Sequence, residues 1–290
     1  MPRPYDGLLT ALVTPFQADG HVDEEAAVAL ARHLLENGSD GFVIAGTTGE
    51  ATTLTEAEHL GLVELMVAEV GADGPIVAGA GSNDTRHAVE QTEQMAQAGV
   101  DAILSVTGYY NRPSLRGIRR HYEEVARAAG GVPVIVYNIP SRTTINLPPE
   151  FLAGLAEIEG IEGLKQSNHD ELQPIDGLAV FAGNDTSLAR ALDLGCAGGI
   201  CVASHVAGPQ MKRMFGASSE ERAAIDAELR DLFDVLFITN SPAPTKAALA
   251  LLGHDVGGVR LPLAECDEDE LRAVREVLAA HGLLEKAPAS

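Results

Sequence analysis

Eight short apolar runs recur along the chain, and their spacing constrains the fold more than any other feature. They read LLTALVT (8–14), GFVIAGT (41–47), PIVAGAG (75–81), DAILSVT (101–107), PVIVYNI (133–139), IEGLKQS (161–167), LAVFAGN (178–184) and GGICVAS (198–204). Most are nearly continuous in apolar residues instead of alternating with polar ones, the pattern of strands buried on both faces. Between most of them lie segments, 23–37, 55–70, 84–98 and 114–129, in which apolar residues return every three or four positions, the helical period. Asp23, Thr55, Asp84 and Ser114 stand at the starts of these segments as N-caps, and Glu58, three residues after Thr55, completes a capping box. Buried strands alternating with helices predict a parallel sheet covered by helices, most economically a closed (β/α)8 TIM barrel, with an open doubly wound sheet as the alternative.

The sixth unit is irregular. Only the ten residues NHDELQPIDG separate the sixth run from the seventh, the short end for a crossover between parallel strands, so a helix there is expected to be about two turns long. After residue 217 the strand signals stop. Helical segments near 218–237, 243–252 and 268–281 follow, which divides the chain into a catalytic barrel over 1–217 and a C-terminal three-helix appendage over 218–290. The acidic run DEDE (267–270) is read as the first turn of the last helix, where carboxylates interact favourably with the positive end of the helix dipole.

Composition excludes several classes of function. The chain has 290 residues, 46% of them hydrophobic, enough to bury one large core. Its formal net charge of −22 and its scattered arginines argue against a nucleic-acid partner, which would need lysine and arginine to neutralise phosphates. The N-terminus, MPRPYDGLLT, lacks the pattern of a signal peptide, and no apolar run approaches the ~20 residues of a membrane helix. A cytoplasmic protein without a membrane partner is therefore expected. Cys196, Cys201 and Cys266 are odd in number and show no CxxC spacing, so neither a disulfide framework nor a zinc knuckle is indicated. The histidines are dispersed and no metal is expected.

In a barrel of this type the chemistry lies at the C-terminal ends of the strands. That rule collects GTTGE (46–50), TGYYNRP (107–113), YNIPSRT (137–143), KQSN (165–168), AGND (182–185) and ASH (203–205) at one mouth. Lys165 stands out, because the chain has only four lysines against sixteen arginines and this one alone falls in a strand run. Burial favours the neutral amine, a nucleophile able to form a Schiff base with a carbonyl; the alternative is an ammonium satisfied by a buried carboxylate. Tyr137 ends the preceding run at the right height to relay protons to and from a carbinolamine oxygen, and Tyr109 and Tyr110 add a second aromatic pair. GTTGE offers two hydroxyls and glycine-freed backbone N–H groups, a cradle for a small carboxylate, and lacks the GK[ST] ending of a nucleotide-binding loop. Arg142 can hold a second carboxylate in a bidentate pair, although an arginine taken alone is more often a surface residue.

Taken together, GTTGE, YYNRP, YNIPSRT, a lysine twenty-eight residues after Tyr137, AGND, GGICV, NSPAPTK and GVRLPL resemble, in order and over nearly the whole chain, the pyruvate-dependent class I lyase family that includes dihydrodipicolinate synthase and N-acetylneuraminate lyase. The resemblance implies that Lys165 forms a Schiff base with pyruvate, that Thr47 and Thr48 hold the pyruvate carboxylate, and that Gly183 and Ile200 line the pocket through their backbone. It further implies a proton relay of Thr48, Tyr137 and Tyr110, with Tyr110 reaching in from a neighbouring subunit of a homotetramer. No cofactor beyond the lysine imine is implied. SRT after YNIP resembles the synthase branch, in which that arginine holds the carboxylate of aspartate semialdehyde. The implied activity is condensation of pyruvate with aspartate 4-semialdehyde to 4-hydroxy-tetrahydrodipicolinate, on the route to lysine and diaminopimelate.

Thr144, Gly108, His205 and Gln166 depart from the family pattern, which usually has glycine, proline, asparagine and an acidic residue there; the short sixth unit departs as well. At positions resembling the family's lysine-feedback site, His59, Asn83 and Tyr109 fit, whereas Glu56 and His87 are not the usual pair, which speaks against feedback inhibition. Two other readings compete: a sister aldolase or dehydratase acting on a sugar-derived 2-keto acid, and a non-catalytic keto-acid-binding paralogue. The intact set of Lys165, Tyr137 and Thr48 argues against the latter, since a binder has no need of a nucleophilic amine.

Overall fold

Each apolar run contains a strand. The computed structural model describes residues 3–284; residues 1–2 and 285–290, counted above within the barrel and the C-terminal region, lie outside it together with Lys286. The strands are β1 (Gly7–Ala11), β2 (Gly41–Ile44), β3 (Ile76–Gly79), β4 (Ala102–Val106), β5 (Val134–Asn138), β6 (Ile161–Gln166), β7 (Ala179–Ala182) and β8 (Gly198–Cys201). They pair in parallel in chain order, and β8 returns to β1, with Leu9 in register with both Gly41 and Ile200. The sheet is therefore a closed barrel and not the open sheet considered above. Leu9, Val43, Val77, Leu104, Ile135 and Phe181 fill its interior, so the barrel is a packed core with no pore.

Four helices follow the first four strands as their periodicity predicts: α1 (Glu24–Glu36), α2 (Glu56–Val70), α3 (Thr85–Ala98) and α4 (Leu115–Ala128). All four expected caps form. Asp23 accepts from the Ala26 N–H, Asp84 from that of Arg86 and Ser114 from that of Gly117, while Thr55 and Glu58 make the reciprocal capping box. The apolar faces of these helices pack on the outside of the barrel through residues such as Leu30, Leu34, Val63, Met66 and Val125.

The later units are less regular. Two short helices, α5 (Pro140–Thr143) and α6 (Pro149–Leu155), lie between β5 and β6; α7 (Leu188–Asp193) follows β7, and α8 (Ser204–Arg213) follows β8. Between β6 and β7 the expected two-turn helix is absent, and residues 167–178 form turns instead. Two local causes are visible. Pro174 has no N–H to donate and biases Gln173 away from helical dihedrals. Asn168 draws the Asp170 N–H to its side-chain oxygen, a turn that competes with the helical hydrogen bond. The segment still covers the barrel, because Leu172, Ile175 and Leu178 are buried in the outer core.

The C-terminal region comprises α9 (Ser219–Glu228), α10 (Arg230–Val235), α11 (Ala243–Leu251) and α12 (Glu268–Ala280); the first of the three expected segments is broken at Leu229 into α9 and α10. Leu232, Phe233, Ala248, Val274 and Leu278 form a second core with Met211 of α8 and the outward-facing Leu8 and Cys201 of the barrel. The acidic run caps α12, with Asp267 accepting from the Asp269 and Glu270 N–H groups.

Leu172 is 1% exposed and anchors the loop that replaces the missing helix. Leu172→Ala is expected to destabilise the protein by about 2–4 kcal/mol through the cavity it leaves, read as a lowered urea midpoint. A loss below about 1 kcal/mol would show that the loop does not pack as a structural wall.

Candidate active site

Lys165 is the next-to-last residue of β6, in register with Tyr137 of β5 and Phe181 of β7. The closed barrel desolvates it: the residue is 6% exposed, and its ammonium lies 4.5 Å from the centroid of the Tyr137 ring. Lys212 and Lys246 are ion-paired with Asp40 and Glu50, whereas Lys165, among the described residues, has no such partner. Asp185, in a 3₁₀ turn after β7, is fully buried and accepts from the Val202 and Ala203 N–H groups at 2.9 Å each. Burial pushes the Asp185 carboxyl up, while those two N–H groups and Lys165 pull it down.

Tyr137 is nearly buried, yet it lines a cleft of about 690 Å³ at the barrel mouth, shared with Thr47, Arg142 and Tyr109. Thr47 belongs to the turn that follows β2. The Glu50 N–H donates to the Thr47 carbonyl at 3.2 Å and the Ala51 N–H to the Gly46 carbonyl at 3.2 Å, which folds GTTGE back on itself. The Thr14 hydroxyl secures the turn by donating to the Gly49 carbonyl at 2.6 Å. A Cβ at Gly49 would lie 3.0 Å from the Ala45 backbone and 3.1 Å from the Leu12 carbonyl oxygen, so the tightness of the turn favours glycine. Arg142, on the single turn of α5, presents an exposed side chain to the same cleft.

The other expected residues occupy distinct places. Thr48 is buried beside Thr47. Gly183 donates its N–H to the carbonyl of Gln166, next to Lys165, and a side chain there would run into the Ser167 hydroxyl. Ile200 is packed inside the barrel. Tyr110 is 90% exposed, with a left-handed φ of 69°, and does not line the cleft of its own chain.

Two supports for the mouth were not read from the sequence. Asn138 donates to Asn146 at 3.0 Å and to Gln166 at 2.9 Å, and Gln166 also accepts from the Asn168 N–H at 2.9 Å. An amide network therefore joins the loops after β5 and β6, giving Gln166 a function where an acidic residue is more usual. The cleft wall also includes Ser241, Pro262 and Leu263 from the C-terminal region, which the sequence reading had set aside as an appendage. NSPAPTK and GVRLPL were the signals that could have placed them there. In the lining of the same cleft, His59 is bonded to the Gly79 carbonyl at 2.8 Å, and Glu56 lies 3.7 Å from His87. No three His, Cys, Asp or Glu side chains converge as a metal site among the described residues.

Residues 4–281 match the Dihydrodipicolinate synthetase family. The chain belongs to that family. Among its relatives, the 4-hydroxy-tetrahydrodipicolinate synthase of Symbiobacterium thermophilum is 42% identical, over 96% of this chain and 98% of its own, and that of Parasynechococcus marenigrum is 39% identical, over 96% of each. Among solved structures, the synthase of Cyanidioschyzon merolae with lysine bound superposes with a TM-score of 0.93 at 40% identity, covering 97% of this chain and all of that one. The chloride-inhibited synthase of Acinetobacter baumannii in complex with pyruvate gives 0.93 at 33% identity, with the same coverage. Within this dihydrodipicolinate synthetase fold, the synthase branch inferred from SRT after YNIP agrees with the names of these relatives.

His205, at the start of α8, stands where asparagine is usual in the family. Its Nδ1–H donates to the Val202 carbonyl at 2.7 Å and its Nε2 accepts from the Val13 N–H at 3.2 Å, which joins the ends of β8 and β1. The bond from Val13 needs the neutral ring, whereas the bond to Val202 survives protonation, and burial pushes the His205 pKa down to about 4 from 6.5. Because the folded value is the lower one, this stabilisation is complete above about pH 6.5 and is lost as pH falls towards about 4, up to roughly 3 kcal/mol. Urea denaturation between pH 7 and pH 4 is expected to show that decline, and His205→Asn to flatten it. An unchanged slope in the variant would assign the acid sensitivity to other groups.

Proposed function

We propose that the protein is a 4-hydroxy-tetrahydrodipicolinate synthase that condenses pyruvate with aspartate 4-semialdehyde through an imine on Lys165. The observation that carries this reading is a lysine with no ion-pair partner among the described residues, held inside the barrel against Tyr137, which itself opens onto a cleft containing Thr47 and Arg142. Family membership supports the reaction class.

The chemistry follows from that arrangement. The Lys165 amine adds to the ketone carbon of pyruvate, and the carbinolamine loses water to give an imine. Tyr137 stands beside the amine and moves the protons, gaining and losing them through Thr48 and a second tyrosine. The protonated imine withdraws electrons from the neighbouring methyl group, which loses a proton to become the enamine carbon nucleophile. That carbon adds to the aldehyde, and the amino group of the second substrate then displaces Lys165 from the imine carbon, closing the ring and restoring the free amine. Lysine itself thus supplies the electron sink, and no further cofactor is invoked. Thr47 and Thr48 hold the pyruvate carboxylate, the backbone at Gly183 and Ile200 bounds the pocket, and Arg142 holds the carboxylate of the second substrate.

Tyr110 completes the relay from a neighbouring subunit. Its exposure and its absence from the cleft of its own chain favour this arrangement, which makes at least a dimer obligatory and accords with a homotetramer.

Borohydride reduction in the presence of pyruvate, followed by peptide mass mapping, is expected to place an adduct on Lys165 and none on Lys165→Ala; an unmodified Lys165 in the wild type would overturn the proposal. Tyr137→Phe is expected to lower kcat roughly 100-fold. Arg142→Ala should raise KM for aspartate semialdehyde by about 10- to 100-fold with little change for pyruvate; equal effects on both substrates would remove its assigned role. Cleavage of a keto-deoxy sugar acid with no product from aspartate semialdehyde would transfer the protein to a sister aldolase. Analytical ultracentrifugation with parallel assays should find activity only in oligomers, and a fully active monomer would contradict the part given to Tyr110.

A further inference from the structure

The GTTGE turn ends on Glu50, a non-glycine residue held at a left-handed φ of 56° with its side chain fully buried. Such a conformation persists only where the surroundings impose it. Here they are the Lys246 ammonium and the Arg260 backbone, both from the C-terminal region. The Lys246 ammonium, 3% exposed, lies 2.7 Å from Glu50 Oε1, and the Arg260 backbone N–H donates to Oε2 at 2.9 Å. The cations are themselves tied down. Lys246 donates to the Gly258 carbonyl at 2.6 Å and sits 4.2 Å from the centroid of the Phe16 ring. The Arg260 guanidinium packs on the same ring at 4.3 Å, donates to the Thr53 carbonyl at 2.8 Å and pairs with Glu58 at the start of α2. The pairing draws the Glu58 carboxyl down to about 2. Residues 246–260 thus grip the chain at Glu50, Thr53 and Glu58, just beyond the threonines.

We propose that Glu50, Lys246 and Arg260 are positioning residues for the pyruvate carboxylate: the buried ion pair and the Arg260 clasp hold the backbone of the GTTGE turn in the one conformation that aims Thr47 and Thr48 at the substrate. This rests on the reading of those threonines as the carboxylate cradle. None of the three touches the reacting atoms in this arrangement; they act through the turn. A buried ion pair is weak evidence for stability as such, because desolvation offsets its attraction, whereas it does impose geometry. The left-handed Glu50 supplies the reason geometry is needed: without its anchors, a residue with a Cβ leaves that region and takes the preceding turn with it.

Steady-state kinetics on Glu50→Gln and Lys246→Met test the assignment. Each is expected to raise KM for pyruvate tenfold or more and, because Thr48 also relays protons, to lower kcat, with KM for aspartate semialdehyde within about threefold of wild type. Lys246→Arg, which keeps the cation, should recover most of the pyruvate affinity. A single variant leaves one buried charge without its partner and can fail to fold. The double variant Glu50→Gln with Lys246→Met removes both charges at similar volume, and it decides the matter if a single one does not fold. It too should show a raised KM for pyruvate, and a KM within twofold of wild type would overturn the proposal, as would an equal rise for both substrates. Wild-type protein that forms no borohydride adduct with pyruvate would instead overturn the functional reading, so the two failures are distinct.

Discussion

An amine can be kept inside a closed parallel barrel only where the strands end, because there the walls are apolar on one side and open to substrate on the other. Lys165 occupies that boundary. Below it the interior is packed with Leu104 and Ile135, which exclude water; beside it is the Tyr137 ring, and beyond that the cleft. Its height is set by sheet register, since parallel pairing puts it level with Tyr137 and Phe181. The turn after β2 and the single turn of α5 then need only be long enough to reach over the same point.

Much of this was legible in the sequence, for identifiable reasons. Strands buried on both faces leave continuous apolar runs, and all eight runs contain strands. Caps are local chemistry, which is why Asp23, Thr55, Asp84 and Ser114 could be assigned without knowing the fold. The sixth connection departs from the helix that its length predicts. Pro174 and the Asn168 turn outweigh the general preference for a helix between parallel strands, and buried Leu172 does the covering that a helix would otherwise do.

The candidate site divides in the same way. Thr47, Tyr137 and Arg142 were found because each follows a strand, and the geometry of a barrel brings strand ends together whatever their separation along the chain. What holds those residues was not legible. Glu50 and Arg260 are 210 positions apart, and nothing in the local pattern around either names the other. The amides of Asn138 and Gln166 are similarly silent, since a buried amide and a surface amide look alike until their partners are known. Residues that perform chemistry were visible through their place in a repeating unit; residues that orient them depend on contacts with no period.

The connection between β6 and β7 bears on how such a protein can change. Lys165 is fixed from within the sheet, and beyond the Asn168 turn, which belongs to the amide network at the mouth, the chain that leaves its strand covers the outer wall with Leu172, Ile175 and Leu178. Beyond Asn168, the outside of the barrel can therefore exchange its covering for another apolar one without displacing the reactive nitrogen. Catalysis and surface architecture are decoupled there, so this edge of the molecule is free to take on new shapes while the reaction stays the same.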